Sequence, residues 1–387
     1  MSFSIIGKGA SGVWVFRFLQ HRREKCIVLD DQDSTLNVTS VCVSKNIVLS
    51  PGVSIYHPAI EKAISLKINI WSEIDIAAKS IPNCFNIGIT GSNGKSTTTS
   101  VIGFLLGKMK KHIFVGGNLG IPLSQKVEWG ENILFSVIEL SSFQLETTKW
   151  IKFDIANLTN LVPNHLNRHR DVYIYYRVKQ NIFKLLKNAG IGFDFSCPVL
   201  KVTCNYKSSG LSLIGWHNLQ NLYVSILNLQ AFGMRKKCIK EKIKKFIGIV
   251  HRLEVIGVKK GVLWINDAKS TSVFSSIVAI TCFIQTIHCI MGGASKGEDY
   301  GLLERLVVNA NVFFYIVGNN SKILIKFLEK KMFNIYKVEN LDFAIRYICK
   351  NSRIGDVVLF SPGYASFDQF ISYEHRGYCF KRFYNVF

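Results

Sequence analysis

Ile87-Gly-Ile-Thr-Gly-Ser-Asn-Gly-Lys-Ser-Thr97 is an apolar strand that runs into a glycine-rich turn and then a helix. Gly91 and Gly94 let successive backbone N–H groups turn toward an anion with no Cβ in the way. Lys95 adds a mobile positive charge for the β- and γ-phosphates, and the Ser96 hydroxyl is a suitable Mg²⁺ ligand. The helix opening near Ser96 presents its positive end to the same phosphates. Gly91, Ser92, Asn93, Gly94, Lys95, Ser96 and Thr97 therefore read as an ATP-binding loop. Its spacing is unusual, because Ile89 stands five before Gly94 and the glycines fall at Gly88 and Gly91. The competing reading is a glycine-rich turn with an incidental lysine.

Strand and helix signals alternate outward from this loop, the mark of parallel α/β domains. Upstream, Ser4-Ile-Ile-Gly-Lys-Gly-Ala-Ser-Gly12 has the GxGxxG form, and Cys26-Ile-Val-Leu-Asp30 ends in paired carboxylates. That combination suits any nucleotide diphosphate, with an acid at the second strand tip. Downstream, Ile133-Leu-Phe-Ser-Val-Ile-Glu139 delivers a carboxylate where an Mg²⁺-associated acid belongs. Further strands are expected at 262–266, 287–291, 312–317 and 357–363. The fold class is α/β in three domains: residues 1–82 Rossmann-like, 83–247 a central P-loop ATPase-like parallel sheet, and 248–387 Rossmann-like again.

At 387 residues and 48% hydrophobic content, the chain can bury a core in each domain. The apolar stretch from Phe274 to Met291 is broken by six polar residues and reads as a helix followed by a buried strand, not a membrane span. Met1-Ser-Phe-Ser-Ile leads straight into a strand, so a cytoplasmic protein is expected. Ten cysteines form no CxxC pair and imply neither a disulfide framework nor a zinc site. The 48 Lys+Arg against 26 Asp+Glu give +22, but the lysines are spread along the chain, and the run Lys236–Lys245 reads as one helix with solvated charges. No nucleic-acid partner is expected. A basic chain also suits polyanionic substrates.

Eight segments in order make the chain similar to the Mur ligase family, on its D-glutamate-adding branch. They are Thr90–Thr97, Gly116-Gly-Asn-Leu-Gly120, Glu139-Leu-Ser-Ser-Phe-Gln-Leu-Glu146, Gly215-Trp-His-Asn-Leu-Gln-Asn221, His251-Arg-Leu-Glu254, Asn266-Asp-Ala-Lys-Ser-Thr271, Gly292-Gly-Ala-Ser-Lys296 and Ser361–Phe370. The resemblance implies an ATP-dependent ligase that joins D-glutamate to UDP-N-acetylmuramoyl-L-alanine through an acyl phosphate, in peptidoglycan precursor synthesis. It implies that Gly9, Ser11, Asp30, Gly52 and Asn118 meet the nucleotide-sugar, and that Lys95, Glu139, His165 and Lys179 form the catalytic centre. Ser96, Glu139, His165 and Lys179 would serve two Mg²⁺ sites, Lys179 as a CO₂-derived carbamate. Asn218, Asn221, Arg252 and Asp267 would surround ATP, and Lys269, Thr271, Lys296, Ser366 and Tyr373 the D-glutamate. A monomer is expected.

The pattern departs from the family in places. Pro163-Asn-His-Leu-Asn-Arg-His169 carries amides at Asn164 and Asn167 where the family has carboxylates, Tyr373 stands where Phe is usual, and the stretch from Lys179 to Gly215 is short. Fewer carboxylates weaken a cation site. The alternatives are a ligase for a different amino acid and a catalytically weakened nucleotide-binding relative.

Overall fold

The computed structural model describes residues 2–108, 112–130, 132–196, 213–293, 311–318, 322–330, 332–366 and 369–386. They fall into two compact units, Met1–Tyr206 with Gln220–Ile243, and Lys207–Leu219 with Lys244–Phe387. The chain crosses from one unit to the other inside the helix Trp216–Ala231.

The first unit holds two parallel sheets. β1 (Ser2–Ile6), β2 (Lys25–Leu29), β3 (Asn46–Leu49) and β4 (Asn69–Trp71) form the first, in the order β2-β1-β3-β4. All of β3 is buried, as expected for a parallel strand covered on both faces. Phe3, Ile5 and Val48 pack against Val15, Phe18 and Leu19 of the helix Ala10–His21. Ile6, Ile47 and Leu49 pack on the other face with Ile60. Gly12 lets that helix lie close to the strand end, because a Cβ there would collide with the Gly7 carbonyl.

β5 (Phe85–Thr90), β6 (Ile113–Gly117), β7 (Phe135–Glu139), β8 (Phe153–Leu158) and β9 (Leu186–Asp194) form the second sheet, in the order β6-β7-β5-β8-β9. The glycine-rich turn therefore leaves the central strand, whose neighbours β7 and β8 end beside it. Ligands collect at such carboxyl-terminal edges. The later part of Trp216–Ala231 is fixed to β8 by a reciprocal amide pair, Asn157 with Asn228, at 2.7 and 2.8 Å.

The helix Glu73–Ala78 links the two sheets. Its Asp75 carboxylate, fully buried, accepts from the backbone N–H groups of Lys149, Trp150 and Ile151, each at 2.9 Å. Glu73 Oε1 accepts from the Ser124 N–H at 2.6 Å. Trp71 stacks on Trp150 at 5.2 Å.

The second unit contains β10 (Glu254–Lys259), β11 (Val262–Asn266), β12 (Ile287–Gly292), β13 (Val312–Val317), β14 (Asn334–Val338) and β15 (Val357–Phe360), in the order β10-β11-β15-β12-β13-β14. β10 runs antiparallel to β11 and the remaining pairs are parallel. The apolar stretch divides as expected into the helix Val273–Ile280 and β12. The basic run forms the helix Lys236–Ile243, which buries Ile239 and Ile243. Among the described residues no helix is long and apolar enough to cross a membrane, and the described cysteines are free.

Candidate active site

At the end of β5, Gly91 adopts φ +143° and Gly94 φ +82°. Gly94 caps the helix Lys95–Gly107 in the left-handed conformation. The frame of the loop comes from the residues after β8. Asn160 accepts from Ser92 N through its carbonyl (3.0 Å) and from Asn93 N through Oδ1 (2.9 Å). Thr159 Oγ1 and Asn160 Nδ2 both donate to the Asn93 carbonyl. Ser92 Oγ is engaged with the Val162 backbone and lies 2.9 Å from Tyr175 Oη, so this side chain shapes the loop. Lys95 folds back so that Nζ donates to the carbonyls of Gly91 (2.8 Å) and Ser92 (3.0 Å). Ser96 and Thr97 are buried in the first helical turn.

A Cβ at Gly94 would run into Asn221 Oδ1, and alanine at that positive φ is strained as well. Gly94→Ala is therefore expected to cost about 1–3 kcal/mol and to weaken ATP binding about tenfold or more. Denaturant unfolding and calorimetric titration with ATP check the two effects.

Lys179 reaches the same loop from the helix Val172–Gln180, and its Nζ donates to the Gly91 carbonyl at 2.8 Å. A lysine on an amphipathic helix is ordinarily solvated, but this one is 2% exposed. Burial drives its pKa well below the ordinary value; the positive charge of Lys95 lowers it further, and Glu139 opposes. Glu139 ends β7 in register with Ile89 and Gly117. Its Oε1 accepts from Asn118 Nδ2 at 2.7 Å, and its buried Oε2 makes no hydrogen bond among the described residues. Gly117 permits this approach, because a Cβ there would strike the Glu139 carbonyl. His165 is exposed at φ +54°, caps the short helix Leu166–His169 and packs edge-on against Phe143 at 4.9 Å.

No group of three or more His, Cys, Asp or Glu side chains among the described residues forms a ready metal cage. The donor set, one buried carboxylate with a spare oxygen and the Ser96 hydroxyl, fits Mg²⁺, which takes few protein oxygens and completes its shell with phosphate and water.

At the carboxyl edge of the first sheet lie Gly9, Ser11, Asp30 and Gly52. Asp30 Oδ2 accepts from Lys8 N at 2.7 Å and Oδ1 from Gln32 N at 2.9 Å, which folds the strand tip over the glycine turn. Gly9 and Gly52 are exposed, with open space beside their Cα atoms. The Gly52 carbonyl accepts from Arg168.

In the second unit, Asp267 follows β11. Its carboxylate accepts from Ser270 Oγ (2.7 Å), Ser361 Oγ (2.8 Å) and Leu253 N (3.1 Å). Burial pushes its pKa up, against these hydrogen bonds and the charge of Arg252. Lys269 Nζ sits 5.6 Å from the Tyr373 ring, Ser366 is buried and Thr271 is exposed. Arg376, 2% exposed, donates to the carbonyls of Tyr364 and Ala268 and so ties the two strand-tip loops together. Asn218 is buried, with Nδ2 donating to the Ile214 carbonyl. Lys296 lies outside the described residues.

Sequence reasoning passed over Asn160, Tyr175, Glu146, Ser270, Ser361 and Arg376. Their partners lie 67, 83 and 94 positions away for Asn160, Tyr175 and Ser361, beyond any local pattern. Arg168 and Glu146 stood inside quoted segments without a role.

Residues 89–195 match the Mur ligase middle domain. The chain is 32% identical to a UDP-N-acetylmuramoylalanine–D-glutamate ligase of Anaeromyxobacter dehalogenans, over 87% of this chain and 83% of that one. It is 30% identical to one of Koribacter versatilis, over 97% and 95%. It is also 31% identical to one of Buchnera aphidicola, over 97% and 96%. Among solved structures, a UDP-N-acetylmuramate-alanine ligase of Thermotoga maritima is superposable with a TM-score of 0.59 at 14% identity, covering 100% of this chain and 99% of that one. A MurF ligase of Thermotoga maritima in complex with ADP gives 0.59 at 18%, covering 89% and 90%. With the loop, the β7 carboxylate and the buried lysine in one cluster, and relatives of this identity along almost its whole length, the chain belongs to the Mur ligase family, among the UDP-N-acetylmuramoylalanine–D-glutamate ligases.

Proposed function

We propose that this chain joins D-glutamate to UDP-N-acetylmuramoyl-L-alanine at the expense of ATP, as a cytoplasmic monomer. Residues 1–82 would hold the nucleotide-sugar, 83–247 the ATP, and 248–387 the incoming amino acid. The convergence of Lys95 and Lys179 on the Gly91 carbonyl, beside a buried carboxylate with a spare oxygen, carries this reading. The names of the relatives supply the substrates.

The loop amides and the first turn of Lys95–Gly107 cradle the phosphates, and Lys95 neutralises charge on the γ-phosphoryl as it passes to the alanyl carboxylate. Phosphate is a competent leaving group where hydroxide is not, which is why the carboxylate is activated before the amine attacks. Ser96, Glu139, His165 and a carbamylated Lys179 would hold two Mg²⁺ ions, which neutralise phosphoryl charge when bound. A lysine kept largely as the neutral amine is the form that adds CO₂, and burial favours that form here. Asn118 orients Glu139 and faces the nucleotide-sugar. Asn218, Asn221, Arg252 and Asp267 would border ATP. Lys269, Thr271, Lys296, Ser366 and Tyr373 supply the cations and hydroxyls that a dicarboxylate requires.

The test is phosphate release from UDP-N-acetylmuramoyl-L-alanine, ATP and Mg²⁺ with single amino acids. Release with D-glutamate alone is expected. Release with another amino acid, or none despite ATP binding, overturns the assignment.

A further inference from the structure

We propose that Arg168 is a positioning residue for the nucleotide-sugar, a brace that locks the Ser50–Val53 loop of the first sheet to the segment bearing His165. The proposal deepens the reading above and rests on it, since it takes Gly52 as a contact of that substrate.

Among the described residues the guanidinium has three acceptors. Nη2 donates to Glu146 Oε2 at 2.6 Å and to the Val53 carbonyl at 2.8 Å, and Nη1 donates to the Gly52 carbonyl at 3.3 Å. It also lies 4.6 Å over the Phe143 ring. The Arg168 side chain is 11% exposed and that of Glu146 1%, so water screens this pair far less than a surface ion pair.

Charge accounting makes Arg168 the cation of this cluster. His169 Nδ1 lies 3.4 Å from Glu146 Oε1, while Arg168 holds the other carboxylate oxygen, Oε2, at 2.6 Å. Burial favours protonated Glu146, and Arg168 opposes this. Removing the guanidinium takes away the cation paired with a buried acid and releases two loop carbonyls.

Those carbonyls define the substrate loop. The peptide bearing the Gly52 carbonyl also bears the Val53 N–H, which closes the turn onto the Ser50 carbonyl at 3.0 Å. Ser50 Oγ in turn donates to the Gly7 carbonyl at 3.1 Å, so a shift at Gly52 reaches the glycine turn. Arg170, two residues beyond Arg168, lies 4.2 Å from the Tyr56 ring and gives the same segment a second hold. The short helix Leu166–His169, capped by His165, thus carries both the brace and the residue assigned to the metal.

The experiment measures binding of UDP-N-acetylmuramoyl-L-alanine by calorimetry without ATP, and separately of ATP, to the wild type, Arg168→Gln, Arg168→Lys, Glu146→Gln and the double variant Arg168→Gln/Glu146→Gln. Arg168→Gln is expected to weaken the nucleotide-sugar about tenfold or more, with ATP affinity unchanged within about twofold. Arg168→Lys should recover part of the loss. Glu146→Gln should fall on the same side, and the double variant should be no worse than Arg168→Gln, because the acid acts through the arginine. Unchanged nucleotide-sugar affinity, or an equal fall in ATP affinity and melting temperature, overturns the proposal. If Arg168→Gln does not fold, Arg168→Lys and Glu146→Gln decide by the same criterion. A wild-type chain that fails to bind the nucleotide-sugar sinks the functional reading instead.

Discussion

Lys95→Ala should slow D-glutamate-dependent phosphate release by about a hundredfold or more while costing no more than about 1 kcal/mol of stability. The two carbonyls that hold Nζ fix the charge over the mouth of the turn, so it is in place before any phosphoryl group moves. Preorganisation of this kind contributes most where charge develops in the transition state. The side chain is half-buried and packs on the loop, so its loss leaves no core cavity. Lys95→Arg would not preserve the arrangement, because a longer, planar guanidinium spreads its charge over three nitrogens where the ammonium is a compact point charge. Kinetics beside a thermal melt separate the outcomes. A Lys95→Ala enzyme working at wild-type speed would end the interpretation of this loop as phosphate-binding.

Lys179→Met should separate activity from stability. Turnover is expected to fall about a hundredfold or more, because the oxygen ligand that the proposed carbamate would supply is gone. Stability at pH 7 is expected to stay level or rise, because methionine fills a similar volume without a buried ionisable group. The pH dependence follows from linkage. Lysine in the unfolded chain titrates near 10.5, and in the folded chain well below it. Between those values the unfolded chain binds more protons, so wild-type stability rises with pH. The variant lacks that slope, and its advantage fades as pH approaches 10.5. Denaturation midpoints at about pH 7, 8.5 and 10 span that window, and a constant difference across the series would contradict the buried-amine account.

The sequence carried the phosphate loop and the strands whose apolar runs are continuous, such as β12 and β13, because those signals are local. β10 escaped notice. Glu254-Val-Ile-Gly-Val-Lys259 mixes exposed and half-buried positions at a sheet edge, and only its hairpin partner β11 makes it a strand. The second sheet was legible as a separate unit of alternation, but its compact association with the first was not, since Asp75 gives no local sign that it will meet Lys149–Ile151. Lys179 shows the limit most clearly. Its helix pattern calls for a solvated charge, and the loop that buries it lies 88 positions away. Asp30 could be placed at a strand tip from sequence, but its engagement with the Lys8 amide could not.

The carboxylate of Asp75 has one further implication. Three consecutive backbone amides depend on one side chain, so they cannot exchange with solvent deuterium independently. Once each is corrected for its intrinsic exchange rate, residues 149–151 should show one common protection, and that protection reports how readily the seam between the two parallel sheets parts as a cooperative event.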